Sequence, residues 1–362
     1  MHFMNTRETE DRWAEFVQFD VLSRISLNLC DKMPKCFIVA AALCAATLAF
    51  VVPDEVAKRE MLTGAELVDY VNSVQKDFVL EHSDLTVEDI MPKLMHPKYA
   101  AAHSDELLAT AVTEEAASIP ASFDARAKWP HCSSIKLVRD QTNCGSCWAF
   151  STAETMSDRT CIASNGAQQP ILAPEDALSC CGSTCGYGCE GGYPIEALRY
   201  WGETGVVTGG DYHGSGCLPY TIAPCSGNCK EASTPKCVKS CQSGYSKSFS
   251  ADKHFGKSAY AVAKTVSAIQ TEIMNNGPVT GAFTVYEDFY KYKSGVYHHT
   301  AGKSLGGHAI KIIGWGNEGG KDYWLVANSW GSSWGESGFF KILRGTNECG
   351  IEHAVVAGLA MV

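Results

Sequence analysis

Cys147 lies in the stretch Gln141-Thr142-Asn143-Cys144-Gly145-Ser146-Cys147-Trp148-Ala149-Phe150, which admits two kinds of thiol chemistry. Cys144 and Cys147 form a Cys-x-x-Cys pair, the spacing of a thioredoxin-like redox couple. Alternatively, Cys147 is a nucleophile and Cys144 belongs to a structural disulfide. The nucleophile reading requires a base and a group that orients it, and the redox reading requires neither. Both are present, in Gly306-Gly307-His308-Ala309 and Asn328-Ser329-Trp330-Gly331. His308 follows Cys147 by 161 residues (308 − 147), and Asn328 follows His308 by 20 (328 − 308).

The chemistry explains why these residue types belong together. A thiol with a pKa near ~8.5 is mostly protonated at acidic pH. A neighbouring imidazolium and the start of a helix both stabilise the thiolate. His308 then protonates a leaving amine as general acid, and Asn328 accepts from the imidazole and fixes its orientation. An oxyanion hole needs donors aimed at the developing charge. The Gln141 side-chain amide and the Cys147 backbone N–H can supply them, while Trp330 shields the His308–Asn328 contact from water. Taken singly, each residue has a plainer reading, the cysteine as inert packing and the histidine as core or surface. It is their joint occurrence, in order, that points to thiol-based acyl transfer. His298-His299, at the end of a tyrosine-rich strand, reads as a pair of surface residues.

These side chains need elements to hold them. A helix is expected from Cys144 through about Cys161, with Trp148, Ala149, Ala153 and Met156 on an amphipathic pattern. Val279–Val285, His308–Trp315, Tyr323–Asn328 and Gly338–Leu343 read as strands with Gly-rich turns. A helical half therefore precedes a β-rich half. Residues 180–241 are rich in Gly, Pro and Cys with weak periodicity, which predicts a loop region held by cross-links. Upstream, Leu62, Leu67, Tyr70, Val71, Val74 and Phe78 recur at helical spacing, and Thr63 with Glu66 fits a capping box. The stretch 103–118 is a loose connector ending at Ile119-Pro120, which sets a boundary near Ser118.

Composition limits the alternatives. The chain has 362 residues, a formal net charge of −10 and 45% hydrophobic residues, enough for about two folding units. No basic run suited to phosphate is present, which excludes nucleic acid as a partner. Of 17 cysteines, 14 lie between Cys132 and Cys349, whereas none falls between Val51 and His131. Such density points to an oxidising compartment. Lys32-Met33-Pro34-Lys35 followed by the apolar run Cys36–Val52 reads as a secretory signal peptide. The alternative is an uncleaved signal anchor, for which the run is short, so no stable membrane anchor is expected. The organisation expected is 1–32 an upstream extension with Met33 the start, 33–50 signal peptide, 51–118 pro-region and 119–362 catalytic domain. No Asn-x-Ser/Thr sequon is present, leaving a lysosome and an extracellular or digestive lumen equally open.

The motif Cys144-Gly145-Ser146-Cys147-Trp148 matches the papain/cathepsin signature. With it stand Leu178-Ser179-Cys180-Cys181, Cys189-Glu190-Gly191-Gly192-Tyr193-Pro194, Pro235-Lys236-Cys237, Asp252-Lys253-His254 and Gly338–Gly345. From about Ile119 to Gly358 the chain resembles cathepsin B and its invertebrate relatives in the papain superfamily. The resemblance implies an α+β fold of two domains, one helical and one β-barrel-like, with the cleft between them. It also implies peptide-bond hydrolysis without a cofactor or metal, peptide and protein substrates, a pro-region that inhibits its own enzyme, and inhibitors of the cystatin type. The alternative to an enzyme is a peptide-binding homologue, which would be expected to lose Cys147, His308 or Gln141.

By the same resemblance Cys132 pairs with Cys161, Cys144 with Cys189, Cys180 with Cys237, Cys181 with Cys185, Cys217 with Cys241 and Cys225 with Cys229, leaving Cys147 and Cys349 free. The rival for Cys180, Cys181, Cys185 and Cys189 is a zinc cluster. Gly191 and Gly192 would bind substrate backbone. Tyr193, Pro194, Ala282, Ala309 and Ala354 would line S2, and Trp330 and Trp334 the prime side. Two departures matter. The stretch Pro224–Cys229 matches the cathepsin B occluding loop but is shorter and lacks its His-His pair, and His213 lies outside the match. This predicts internal cleavage, with weak dipeptidyl carboxypeptidase action. Ala354 stands where cathepsin B has a glutamate at the floor of S2, which predicts apolar or aromatic P2 residues. An arginine there would be buried unpaired. Glu352 matches a different position.

Overall fold

The protein is described by a computed structural model over residues 56–100, 118–225, 227 and 229–362. The expected signal peptide and upstream extension lie outside the described residues. From Met61 onward the chain forms one compact unit built on two hydrophobic cores.

One core surrounds the helix Cys147–Ala163, whose residues from Cys147 to Cys161 are all buried. Against it pack the helices Pro174–Cys180 and Pro194–Glu203. The helix begins at Cys147, not at Cys144 as expected. Cys144 is held by its bond to Cys189, and a Cβ at Gly145 would stand 2.2 Å from the Cys189 carbonyl oxygen, so that turn is too tight to be helical. From Thr204 to Phe249 no helix or strand is present among the described residues. That stretch is cross-linked by Cys217–Cys241 and Cys225–Cys229 and tied by Cys237 to Cys180, and Cys181 is joined to Cys185 upstream of it. With the Cys132–Cys161 and Cys144–Cys189 bridges, this leaves Cys147 and Cys349 as the free cysteines of the described residues. The bridging leaves no thiol set for a zinc cluster at 180–189.

The other core lies on the sheet. Its strands are β1 Phe78–Leu80, β2 Phe123–Asp124, β3 Tyr260–Ala261, β4 Val279–Tyr286, β5 Tyr292–Tyr297, β6 Ser304–Glu318, β7 Lys321–Ala327, β8 Phe339–Leu343 and β9 Val356–Ala357. They follow the order β1-β5-β8-β7-β6-β4-β9-β3, with β2 also on β6. The long β6 is buried from Gly306 to Gly316 and pairs with β4 on one side and β7 on the other. β5 was expected only as a tyrosine-rich strand ending before His298-His299, without further bounds, because Tyr292-Lys293-Ser294-Gly295 breaks the apolar alternation that marks its neighbours.

The upstream helix spans Gly64–Val74, shorter than the apolar spacing suggested, and Phe78 belongs to β1. The Gln75 side chain explains the stop: its oxygen accepts from the N–H groups of Asp77 and Phe78, turning the chain out of the helix. Thr63 makes no side-chain cap. The capping box lies instead at Thr86 and Asp89, opening the short helix Val87–Ile90. Leu67, Val68, Val71, Phe78 and Leu80 are part of the sheet core, so the upstream segment completes the fold around the site.

Candidate active site

The Cys147 sulfur sits at the start of the central helix and receives the backbone N–H of Ala309, the residue after His308 on β6. Helix and strand thus meet at the thiol. The His308 ring is fully buried and its Nε2 lies 2.7 Å from Asn328 Oδ1. That oxygen also accepts from the Ser329 N–H at 2.8 Å. A carbonyl oxygen only accepts, so Nε2 carries the ring proton. Nδ1 keeps its lone pair and has no hydrogen-bond partner. The Trp330 ring covers the imidazole at 4.8 Å between centroids, with Phe283 at its edge.

Gln141 is fully buried. Its oxygen accepts from Ser329 Oγ at 2.7 Å, which aims its Nε2 at the carbonyls of Lys93 and Cys144, each 2.8 Å away. Lys93 belongs to the upstream segment, so the donor suited to an oxyanion is engaged by that segment. The segment continues through the groove. Met95 exchanges both backbone hydrogen bonds with Gly307, at 2.9 and 2.8 Å, and the His96 N–H donates to the Glu190 carbonyl. Met95 thereby lies over the Cys147 sulfur. Under this cover, burial pushes the Cys147 thiol up to about 12. Burial also pulls His308 down to about 4, against the Asn328 hydrogen bond and with help from the Lys93 cation. Thiol and imidazole are therefore both neutral beneath the segment.

The two glycines of the groove differ in what they face. Gly191 has φ +127° and lies against the segment; a Cβ there would stand 2.5 Å from the Tyr99 ring. Gly192 faces inward, and a Cβ would meet the Trp148 ring at 2.6 Å. Gly192 is thus required by packing. Tyr193 meets Tyr99 edge to face at 4.8 Å, and Pro194 is buried at the first position of the next helix. Ala282 and Ala309 are paired across β4 and β6. With the half-buried Ala354 they join one apolar cluster that includes Met95 and Tyr99. Glu352 is turned away, holding the Trp324 indole and the N–H groups of Gly345 and Asn347. Trp334 stands behind Trp330 in the sheet core, its indole donating to the Tyr290 carbonyl, and so it packs the wall instead of facing the groove.

The chain just after Cys229 is held beside Asn143. The Ala232 N–H donates to the Asn143 carbonyl, and Asn143 Nδ2 donates to the Lys230 carbonyl. His213 lies on a separate exposed turn with φ +56°. His298 and His299 are half-buried, contrary to expectation. Each is paired with a carboxylate, His298 with Asp77 at 3.1 Å and His299 with Asp288 at 3.2 Å. The sequence reading missed Ser329, which orients Gln141. It also missed Tyr220, whose hydroxyl donates to the Gln141 carbonyl. A further omission was Lys311, buried with Asp158 at 2.9 Å and Glu154 at 3.5 Å. A lysine inside an otherwise apolar strand was the available signal.

Comparison with known proteins decides the family. A family model described as papain family cysteine protease matches residues 119–359. The chain belongs to the papain family of cysteine proteases. It is 66% identical over 327 residues to a gut-specific cysteine proteinase of Caenorhabditis elegans, covering 90% of this chain and 99% of that one. It is 58% identical to cathepsin B-like cysteine proteinase 3 of the same organism, covering 81% and 82%. Among solved structures, procathepsin B S9 of Trypanosoma congolense superposes with a TM-score of 0.69 at 34% identity, covering 84% of this chain and all of that one. Digestive procathepsin L 3 of Tenebrio molitor larval midgut, at 20% identity and TM-score 0.60, shares the fold. This papain-family chain is thus a cathepsin B-like thiol protease, a zymogen whose pro-region binds the protease.

Proposed function

We propose that this zymogen matures into a secreted or lysosomal endopeptidase in which Cys147 is the nucleophile, His308 the base and acid, Asn328 the orienting residue and Gln141 an oxyanion donor. The observation that carries this reading is the 2.7 Å contact of His308 Nε2 with Asn328, which leaves Nδ1 unprotonated beside the helix that starts at Cys147. Once residues 51–118 leave, water reaches the couple and the proton passes from sulfur to Nδ1, giving thiolate and imidazolium. The thiolate attacks the scissile carbonyl carbon. The oxyanion is held by Gln141 Nε2 and the Cys147 N–H. His308 gives its Nδ1 proton to the leaving amine as the C–N bond breaks, forming the acyl-enzyme. It then takes a proton from the water that releases the acid.

Apolar P2 preference is supported by the alanines at 282, 309 and 354 and by the engagement of Glu352 elsewhere. Endopeptidase action is supported by the absence of histidine from 214–241. The apolar run at 36–52 supports entry to the secretory pathway, and a gut-specific relative supports a digestive lumen beside the lysosome. Among the described residues no helix is long and apolar enough to cross a membrane. Cystatin-type inhibitors would enter the groove that the pro-region vacates.

The test is hydrolysis of Phe-Arg and Arg-Arg reporters by the processed protein at about pH 5 with reductant, beside Cys147→Ala and a dipeptide-release assay. Phe-Arg cleavage lost in the variant, weak Arg-Arg cleavage and little dipeptide release are expected. Equal use of Arg-Arg overturns the S2 assignment, and rapid dipeptide release overturns the endopeptidase reading.

A further inference from the structure

Residues 77–81, Asp-Phe-Val-Leu-Glu, dock far from the thiol in chain order, and their contacts describe a second recognition surface. β1 pairs antiparallel with β5, Phe78 opposite Gly295 and Leu80 opposite Tyr292. The Val296 N–H donates to the Asp77 carbonyl, and the Glu81 N–H donates to the Lys291 carbonyl. Gly295 permits this approach: at φ +90° it faces Asp77 and Phe78, and a Cβ would stand 2.4 Å from the Asp77 oxygen. Phe78 and Leu80 are each 2% exposed, whereas Val79 between them is 50% exposed. Phe78 meets the rings of Tyr297 and His298 edge on. Charges bracket the pair. Asp77 is 3.1 Å from His298 and 3.2 Å from Lys321, and Glu81 is 3.0 Å from Lys293.

The docked segment shows the chemistry that the surface accepts, namely a strand of the form acid–aromatic–x–aliphatic–acid. On the other side β5 is held only by β8. Removal of β1 therefore leaves an open sheet edge with an apolar slot and two lysines and a histidine around it. Such an edge invites another strand. From the pairing, the slot and the charges, we propose that the edge of β5 in the mature enzyme is an exosite for extended acidic segments of protein substrates with this pattern. This rests on the reading that residues 51–118 are removed. The pro-region itself shows that one chain can reach both places, since Leu80 on the edge and Met95 in the groove are 15 positions apart (95 − 80).

The exosite raises the efficiency of cleavage of proteins that carry the pattern and leaves short reporters unaffected. The experiment uses the processed enzyme, a labelled peptide of residues 75–86, and two unstructured protein substrates that differ only in Asp-Phe-Val-Leu-Glu against five alanines. Binding is read on enzyme alkylated at Cys147. The peptide should bind, and Lys293→Glu with Lys321→Glu, both on half-exposed side chains, should weaken it by about tenfold, as expected from reversing two surface ion pairs. The peptide should raise KM for the patterned substrate, leave the Phe-Arg reporter unchanged, and have no effect on the alanine substrate. Absence of binding, equal cleavage of the two proteins, or inhibition of the reporter by the peptide overturns the exosite. The mass of the processed chain and reporter hydrolysis report separately on removal of the pro-region and on the protease reading.

Discussion

The chain from Cys132 to Cys241 and the chain from Tyr260 to Ala357 hold their shapes by different means. All six disulfides lie in the first, and much of that stretch has neither helix nor strand. The second has no bridge and relies on a continuous sheet with an aromatic core of Phe283, Phe289, Tyr292, Trp330, Trp334 and Phe340. Loops cannot bury enough apolar surface to offset the entropy of ordering them, so they need covalent closure. A sheet backed by aromatic rings does not. The site takes one member from each half, Cys147 from the first and His308 with Asn328 from the second. Its geometry therefore depends on the seam between them.

The largest effect is expected at that seam. Lys311 on β6 reaches Asp158 and Glu154, one turn apart on the Cys147 helix, with all three side chains at most 4% exposed. Lys311→Ala would leave buried carboxylates unpaired and should cost about 3–5 kcal/mol, measured by urea unfolding of the inactive Cys147→Ser zymogen. Replacing all three residues by apolar ones should recover most of this loss. If it does not, the triad is doing more than compensating its own burial. Next comes a direct contrast of the two halves. Phe340→Ala should cost about 3–5 kcal/mol by opening a cavity. Removing the Cys180–Cys237 bridge, 57 residues apart, should cost about 4 kcal/mol through the unfolded chain. Only the second loss should shrink when the unfolded state is constrained by the remaining bridges.

Acid should loosen the seam to a somewhat smaller degree. Burial holds His308 at about 4 in the folded zymogen, against about 6.5 unfolded. Between these values the unfolded chain binds a proton that the folded chain does not. The His308 contribution to stability is therefore full above about 6.5 and falls as pH drops toward about 4, by roughly 3 kcal/mol, while Glu154, raised to about 7 by burial, contributes in the opposite sense. Urea midpoints of Cys147→Ser across this window should show the slope, and the additional change His308→Gln should flatten it. The smallest structural effect is expected from the short staple Cys181–Cys185, four residues apart, at about 2 kcal/mol on the same loop-closure basis. A loss as large as that of the long bridge would mean that local geometry, not chain entropy, sets the value of these cross-links.

The contrast also explains what was legible from residues alone. Cys147, His308, Asn328 and Gln141 could be singled out because each sits in a local context that leaves a motif, and the fold brings them to one groove. β4, β6, β7 and β8 were readable from buried apolar runs. Of β5 only the tyrosine-rich end before His298 was readable, since its Lys293-Ser294-Gly295 centre serves the docking of β1 and not the core. Ser329 and Tyr220 were not legible either, because they act through contacts 188 and 79 residues away from Gln141. His298 and His299 looked like solvent-facing residues because neither carboxylate partner is a sequence neighbour: Asp77 is 221 residues from His298 and Asp288 is 11 from His299. Gly192 looked like a substrate contact until the Trp148 ring was seen behind it.

The two engagements of Gln141 bear on how the gene can change. The amide that would steady the transition state also donates to the Lys93 carbonyl of the pro-region. On the role proposed for Gln141, a substitution that frees the groove by disabling this donor would disable turnover at the same time. Mutational routes to a prematurely open protease through this residue are thereby closed, and escape from latency must begin elsewhere in the pro-region or its dock. One side chain thus serves as a genetic fail-safe, coupling loss of restraint to loss of activity.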